Sequence, residues 1–169
     1  MGLLTPNAIH DMTSLYTLQM RYLLSTEKQI TDGLPKMIEA ASDPQLKQAF
    51  QSHLQETEVH VRRLEQILSA LSDEVDDKRC AVTAALISAG ENIVKESDAG
   101  AVRDAGLIAS AQKIEHFEIA AYGSAREWAE QLGLTQQAIL LAETLHEEKH
   151  ADEVLTTISA RTNRAASFA

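Results

Sequence analysis

The sequence predicts an all-α protein: a four-helix bundle with one crossover connection and a short extra helix inside that crossover. Three observations carry this. Glycine and proline number only seven and three in 169 residues, too few for the turns of an all-β chain. Hydrophobic residues make up 44% but aromatics only 4%, so Ala, Leu, Ile and Val must fill most of the core. Apolar residues recur every three or four positions along four long stretches separated by short polar breaks. Helix content should exceed about 70%, far above the usual third.

The elements follow in order. A first helix is expected from near Asn7 to about Ala41, ended by Ser42, Asp43 and Pro44. Gly33 and Pro35 predict a kink within it, because proline removes a backbone donor and crowds the preceding turn. The second helix runs from Pro44 to Leu71, with Ser42 or Asp43 as cap and Pro44 just inside the start. A polar connection, SDEVDDK, leads to a shorter helix near Arg79 to Glu96. SDAG (97–100) breaks the chain before a third long helix, about Ala101 to Gln131. Gly133 supplies a stop, and Thr135 caps a fourth long helix to about Ala160. The tail RTNRAASFA (161–169) has no helical period and is expected to fray. Tight links within each pair and a longer crossover between pairs give the bundle connectivity. All 169 residues form one domain.

Fifteen basic residues against twenty-five acidic ones leave a net charge of −10, which repels nucleic-acid phosphates and anionic lipid. Neither nucleic acid nor membrane is therefore expected as a partner. The one cysteine, Cys80, excludes an intramolecular disulfide, fits a reducing compartment and reads as a small apolar filler. MGLLTPNAIHDM lacks the basic start and long apolar run of a signal peptide, and Pro6 breaks the myristoylation pattern. No apolar run reaches the length of a membrane span, and a cytoplasmic location is expected.

The core pattern is interrupted by charge. The inward stripe of the first helix reads Tyr16, Met20, Leu23, Glu27, Ile30, Leu34, Ile38. In the second, HLQETEVH places His53, Glu56 and His60 in phase with Leu46, Phe50, Leu64 and Ile67. The third offers Ile108, Ala111, Glu115, then Glu118 or Ile119, then Tyr122 and Ala125. The fourth has two adjacent stripes, one through Glu147 with His150 at its edge and one through Glu148. EEKH (147–150) is also an E-x-x-H, which sets Glu147 and His150 on one face.

A solitary core carboxylate is usually protonated or bonded to a local donor. Four converging ones differ, because unit charges 4 Å apart repel by roughly 4 kcal/mol at an effective dielectric of 20. Desolvation adds several kcal/mol for each ion. The stripes hold no Lys or Arg, and Lys28, Lys113 and Lys149 fall beside the inward positions. One or two divalent cations would neutralise the carboxylates and use the imidazoles as ligands.

STEKQ (25–29), HLQET (53–57), SAQKIEHFEIAAYG (110–123) and LHEEK (145–149) resemble motifs of the bacterial YciE/YciF stress-protein family, from about Ser14 to Leu155. The resemblance implies a ferritin-like fold, a homodimer and a dinuclear metal centre. It implies Glu27, Glu56, Glu115 and Glu147 or Glu148 as one carboxylate from each long helix. In the wider ferritin-like pattern the second and fourth helices each supply Glu-x-x-His. The fourth fits with Glu147 and His150. The second departs, since Val59 stands three residues after Glu56; the imidazole comes from His60, or from His53 of the family's own H-x-x-E-T motif. Glu118 is a candidate bridging or outer carboxylate.

His116 is expected to point outward, Tyr22, Tyr122 and Trp128 to fill space, and Glu143 with His146 to form a second E-x-x-H on a wetter side. The expected function is a stress-response protein with two iron ions per chain, or manganese, reacting with dioxygen or peroxide. Its alternative is a metal-binding structural protein without turnover. No Gly-rich phosphate loop or serine elbow is present, and Cys80 has no imidazole beside it in sequence.

Overall fold

The computed structural model describes residues 9–71 and 75–168. Its elements are α1 (Met12–Ala40), α2 (Pro44–Leu71), α3 (Ala81–Glu96), α4 (Ala101–Gln131) and α5 (Thr135–Ala166). The hairpins α1–α2 and α4–α5 pack side by side, α1 against α4 and α2 against α5, and α3 lies over α1 and α4. The bundle with a short helix in its crossover is therefore present, as the spacing predicts. Among the described residues no helix is long and apolar enough to cross a membrane.

Helix ends show where local chemistry refines the periodic reading. Asn7, the expected start of the first helix, lies outside the described residues; Ile9 and His10 are non-helical, and α1 begins at Met12. Asp11 and Ser14 set that boundary with a reciprocal capping box: Asp11 Oδ1 accepts from the Ser14 amide at 2.7 Å, and Ser14 Oγ from the Asp11 amide at 3.1 Å. Pro35 lies on the exposed face, and α1 continues past it to Ala40. Asp43 caps α2 by accepting from the Gln45 and Leu46 amides at 2.7 and 3.2 Å. Buried Asp104, at the start of α4, accepts from the Ser42 and Asp43 amides, both at 2.8 Å, and so ties the first hairpin to the second.

The crossover runs back along α1. Lys78 donates its amide to the Arg21 carbonyl at 3.2 Å, and Arg21 and Lys28 pair with Asp76 and Asp77 at 2.8 and 3.1 Å. The short helix begins at Ala81, two residues later than expected, because Ser25 Oγ takes the Cys80 amide at 3.1 Å and holds Cys80 extended. It packs closely on α4: a Cβ at Gly106 would sit 2.6 Å from Ile93 Cγ2, so this crossing needs glycine. Gly133, at φ +71°, ends α4 in a Schellman arrangement, with the Leu134 amide on the Ala129 carbonyl at 2.9 Å and its own amide on Glu130 at 3.1 Å.

Two expectations for the fourth long helix are corrected. Thr135 is its first helical residue, and the cap position belongs to Leu134, which makes no side-chain cap bond. The helix also runs on to Ala166 and does not fray after Ala160. Thr162 is buried and turns its hydroxyl back to the Ile158 carbonyl at 3.1 Å, while Arg161 pairs with Asp43 at the neighbouring hairpin. A threonine thus continues the inward row where the sequence shows no apolar residue.

The core is split. One apolar cluster gathers Tyr16, Met20, Leu23, Leu64, Leu68, Tyr122 and Leu141; a second gathers Ile30, Leu34, Leu46, Phe50, Ile108, Leu155 and Ile158. Between them, at mid-length of all four long helices, lies a layer of buried acid and imidazole.

Candidate metal centre

Helical geometry decides which polar residues enter that layer. On α2, seven residues bring His60 almost back under His53, and both are buried. Glu56 is rotated by about 60° from His53 and keeps 40% of its side chain exposed. On α4, Glu115 and Glu118 are one turn apart and both are buried. On α5, Glu148 shares the row of Leu141, Leu145 and Leu155 and is wholly buried; Glu147 is partly exposed and His150 exposed. Glu27 of α1 is wholly buried.

These side chains form two overlapping groups. In one, His53, Glu115, Glu118 and Glu148 offer ligand atoms within 4.8 Å of one another; in the other, Glu27, His60 and Glu148 do so. Glu148 belongs to both. His53 Nε2 lies 3.4 Å from Glu115 and 4.0 Å from Glu148. His60 Nδ1 lies 3.0 Å from Glu148 and 3.5 Å from Glu27. Both carboxylate oxygens of Glu118 are buried without a hydrogen-bond partner, as is Glu115 Oε2. Native cores rarely leave such atoms unpaired.

Without a cation the layer distributes protons by burial and contact. Burial pushes the Glu115 and Glu118 carboxyls well above the usual carboxylate range, and Glu27 upward. Burial opposes charge on the imidazoles, yet Glu148 and Glu27 outweigh it at His60, pushing it up to about 11. Glu115 and Glu56 do the same at His53, which rises to about 9. Burial also disfavours the Glu148 carboxylate, but His60 and His53 hold it below its ordinary value. A divalent ion would displace these protons and pair the orphaned oxygens. The donors are oxygen and imidazole nitrogen, a set that suits iron or manganese.

The group around His60 has an outer support. Its Nε2 meets Glu147 Oε2 at 2.8 Å, leaving Nδ1 toward Glu148. Glu147 is gripped by Arg63 through both oxygens, and Arg63 also donates to Thr144 at 3.1 Å. Tyr122 donates its hydroxyl to Glu27. A carboxylate behind an imidazole fixes its tautomer and ring orientation.

The model of the family described as domain of unknown function (DUF892) matches residues 11–167. The chain belongs to that family. It is 42% identical over 136 residues to Protein YciF of Escherichia coli (strain K12), covering 80% of this chain and 82% of that one. The crystal structure of the E. coli stress protein YciF superposes with a TM-score of 0.88 at 36% identity, over 92% of this chain and 99% of the other. YcfI of Rhodopseudomonas palustris, described as a candidate structural protein, superposes with a TM-score of 0.85 at 37% identity, over 91% and 98%. The family implied by the quoted motifs is therefore the one found, and these helical relatives share the bundle.

Within this family member, the structure brings together Glu27, His53, His60, Glu115, Glu118 and Glu148. It does not bring in Glu56, which stands 3.8 Å behind His53 Nδ1, or Glu147, which stands behind His60. His150 is two residues from Glu148, about 200° round the helix, and faces out. His116 is exposed and 3.4 Å from Asp152. Tyr122 does more than fill space, given its bond to Glu27, whereas Trp128 packs against the apolar core. Arg63 escaped the sequence reading. The inward stripes lack Lys and Arg, but this arginine reaches the edge of the layer from one turn beyond His60 and neutralises Glu147. That three-residue offset was the available signal.

Proposed function

We propose that this chain is a dinuclear iron or manganese carboxylate protein whose centre reacts with dioxygen or peroxide. The observation that supports it is the pair of buried ligand groups sharing Glu148, with the Glu118 oxygens unpartnered between two apolar clusters. In this reading Glu27, His60 and Glu148 would hold one ion, and His53, Glu115 and Glu118, with Glu148 in reach, would hold the other. Two adjacent ions of this kind supply two-electron chemistry toward dioxygen or peroxide. The protein's own part is to bury the His60 end between the flanking apolar clusters and to fix His60 through Glu147 and Arg63. Tyr122 holds Glu27 by its hydroxyl. The chain works as a homodimer in the cytoplasm; sedimentation at the mass of one chain would remove the first of these statements.

Elemental analysis of protein purified without chelators tests the centre, with about two iron or manganese per chain expected. Anaerobic Fe(II) loading followed by air should then give a ferric absorption. Loading without any such absorption or peroxide consumption leaves the second reading, a metal-stabilised structural protein. That reading draws support from the complete burial of His60, Glu118 and Glu148 and from the description of the R. palustris relative. Under it, removing metal lowers the melting temperature while no oxidant is consumed.

A further inference from the structure

His53 and Glu115 form more than one end of the acid layer. They also close the floor of an open-sided cavity of about 400 Å³ bounded by α1, α2, α3 and α4. Its walls are aliphatic, chiefly Ile30, Leu34, Met37, Ile87, Val94 and Ile114, with one aromatic, Phe50. Gly33 and Gly90 line it as well; a Cβ at either would find only ordinary van der Waals contact, so the missing side chains widen a space that α3 could have filled. At the rim stand Lys36, Glu91 and Lys95. Lys36 is paired with Glu91 at 2.8 Å, and Lys95 stands near enough to the same carboxylate to help hold it ionised. The floor carries a buried carboxylate oxygen, Glu115 Oε2, with no partner.

We infer that this cavity binds an aliphatic carboxylic acid, with its chain between α1, α3 and α4, its far end against His53 and Glu115, and its acid group at Lys95 and Lys36 on the rim. Chain length follows from volume. At the ~30 Å³ share a water-sized group takes in a liquid, the space holds roughly a dozen non-hydrogen atoms, and its size lies in the range of small-molecule sites. Head-group orientation follows from charge. A carboxylate at the buried floor, beside Glu115 and His53, would lose its hydration, whereas at the exposed rim it stays in water next to two ammonium groups against one carboxylate. A near-continuous aliphatic wall favours a flexible hydrocarbon over a flat aromatic ring, which would find one stacking partner.

A second cavity reaches the same His53 and Glu115 from the opposite side, between α2 and α5, and its lining includes Gln45, Gln48, Glu56 and His150. Its lining also holds Ala49, Phe50, Val154, Leu155 and Ile158, so the approach between α2 and α5 is the more polar of two mainly apolar ones. The binding of the acid needs only the first cavity; its place beside a metal edge rests on the function proposed above.

Titration calorimetry of the full-length purified protein with decanoate, decanol and decylamine tests the inference. One decanoate per chain is expected, bound at least several-fold more tightly than decanol and more tightly still than decylamine. Ala111→Leu, which adds volume to the wall, should weaken decanoate about 10-fold. Lys95→Glu lies on the surface and should leave the melting curve unchanged while weakening decanoate a few-fold and leaving decanol unaffected. Absence of saturable decanoate binding overturns the proposal. So does equal binding of the three probes, or an Ala111→Leu protein that melts normally and binds decanoate as before.

Repeating the titration after Mn(II) loading separates the two readings. Decanoate binding by a protein that takes up no metal keeps this inference and defeats the dinuclear centre. Metal uptake without decanoate binding does the reverse. A change in the Mn(II) electron paramagnetic resonance spectrum on adding decanoate supports the placement of the chain end beside His53 and Glu115.

Discussion

The two ends of the acid layer are built from the same residue types but are supported differently. At the His60 end the imidazole is wholly buried, its outer nitrogen meets Glu147 at 2.8 Å, and Arg63 grips that carboxylate through both oxygens. At the His53 end the outer nitrogen faces Glu56 at 3.8 Å, beyond hydrogen-bond length, and no arginine grips Glu56 among the described residues. Two cavities also open onto this end, and neither has His60 in its lining. The difference teaches that one group is a fixed anchor and the other an accessible face, with Glu148 joining them.

The largest effect should come from removing that join. Glu148→Gln keeps side-chain volume but takes a charged ligand from both groups, so metal content should fall toward zero, by more than the ~10–100-fold affinity loss typical of an outer partner. Retention of one tightly held ion in elemental analysis would show the ends to be independent. Next, Arg63→Ala should weaken one ion by about 10–100-fold while the other persists, since only the His60 end depends on the clamp. Biphasic metal release to a chelator would read this out; uniform weakening of both ions would break the asymmetry.

Protonation gives an effect of intermediate size. His53 rises from 6.5 in the unfolded chain to about 9, so its contribution to metal-free stability is complete below 6.5 and is lost as pH rises through about 9. His60 has the same sign over a higher window, to about 11. Metal competes with these protons, so affinity should climb with pH over the range in which the metal-free protein weakens. Melting curves with and without Mn(II) between pH 6.5 and about 9 should therefore diverge; parallel curves would mean that the imidazoles take no metal. The smallest effects belong to the wet side. Glu56→Gln should slow metal uptake a few-fold through the cavity between α2 and α5 with little change in stoichiometry, and exposed His150→Gln should change neither, as stopped-flow Fe(II) uptake would show.

Much of this molecule is legible in its sequence. The bounds of α2 and α4 follow from Pro44, the SDAG break and Gly133, because proline and glycine act through local sterics that tertiary packing seldom overrides. Glu27 and Glu115 are identifiable as inward because each falls within a single apolar row of its helix. On α5 two adjacent rows each contain a glutamate, so periodicity leaves Glu147 and Glu148 equivalent. Only packing against α2 and α4 turned Glu148 inward and Glu147 toward Arg63. The same holds on α2, where His53, Glu56 and His60 all lie near one face and the rotation of the helix selected the two imidazoles. It holds too for Thr162, buried in the last turns of α5, which the pair of Arg161 with Asp43 ties to the neighbouring hairpin. Spacing along one chain specifies a face to within about one residue's 100° step. The layer between the apolar clusters needed finer rotation than that, and four helices meeting supplied it.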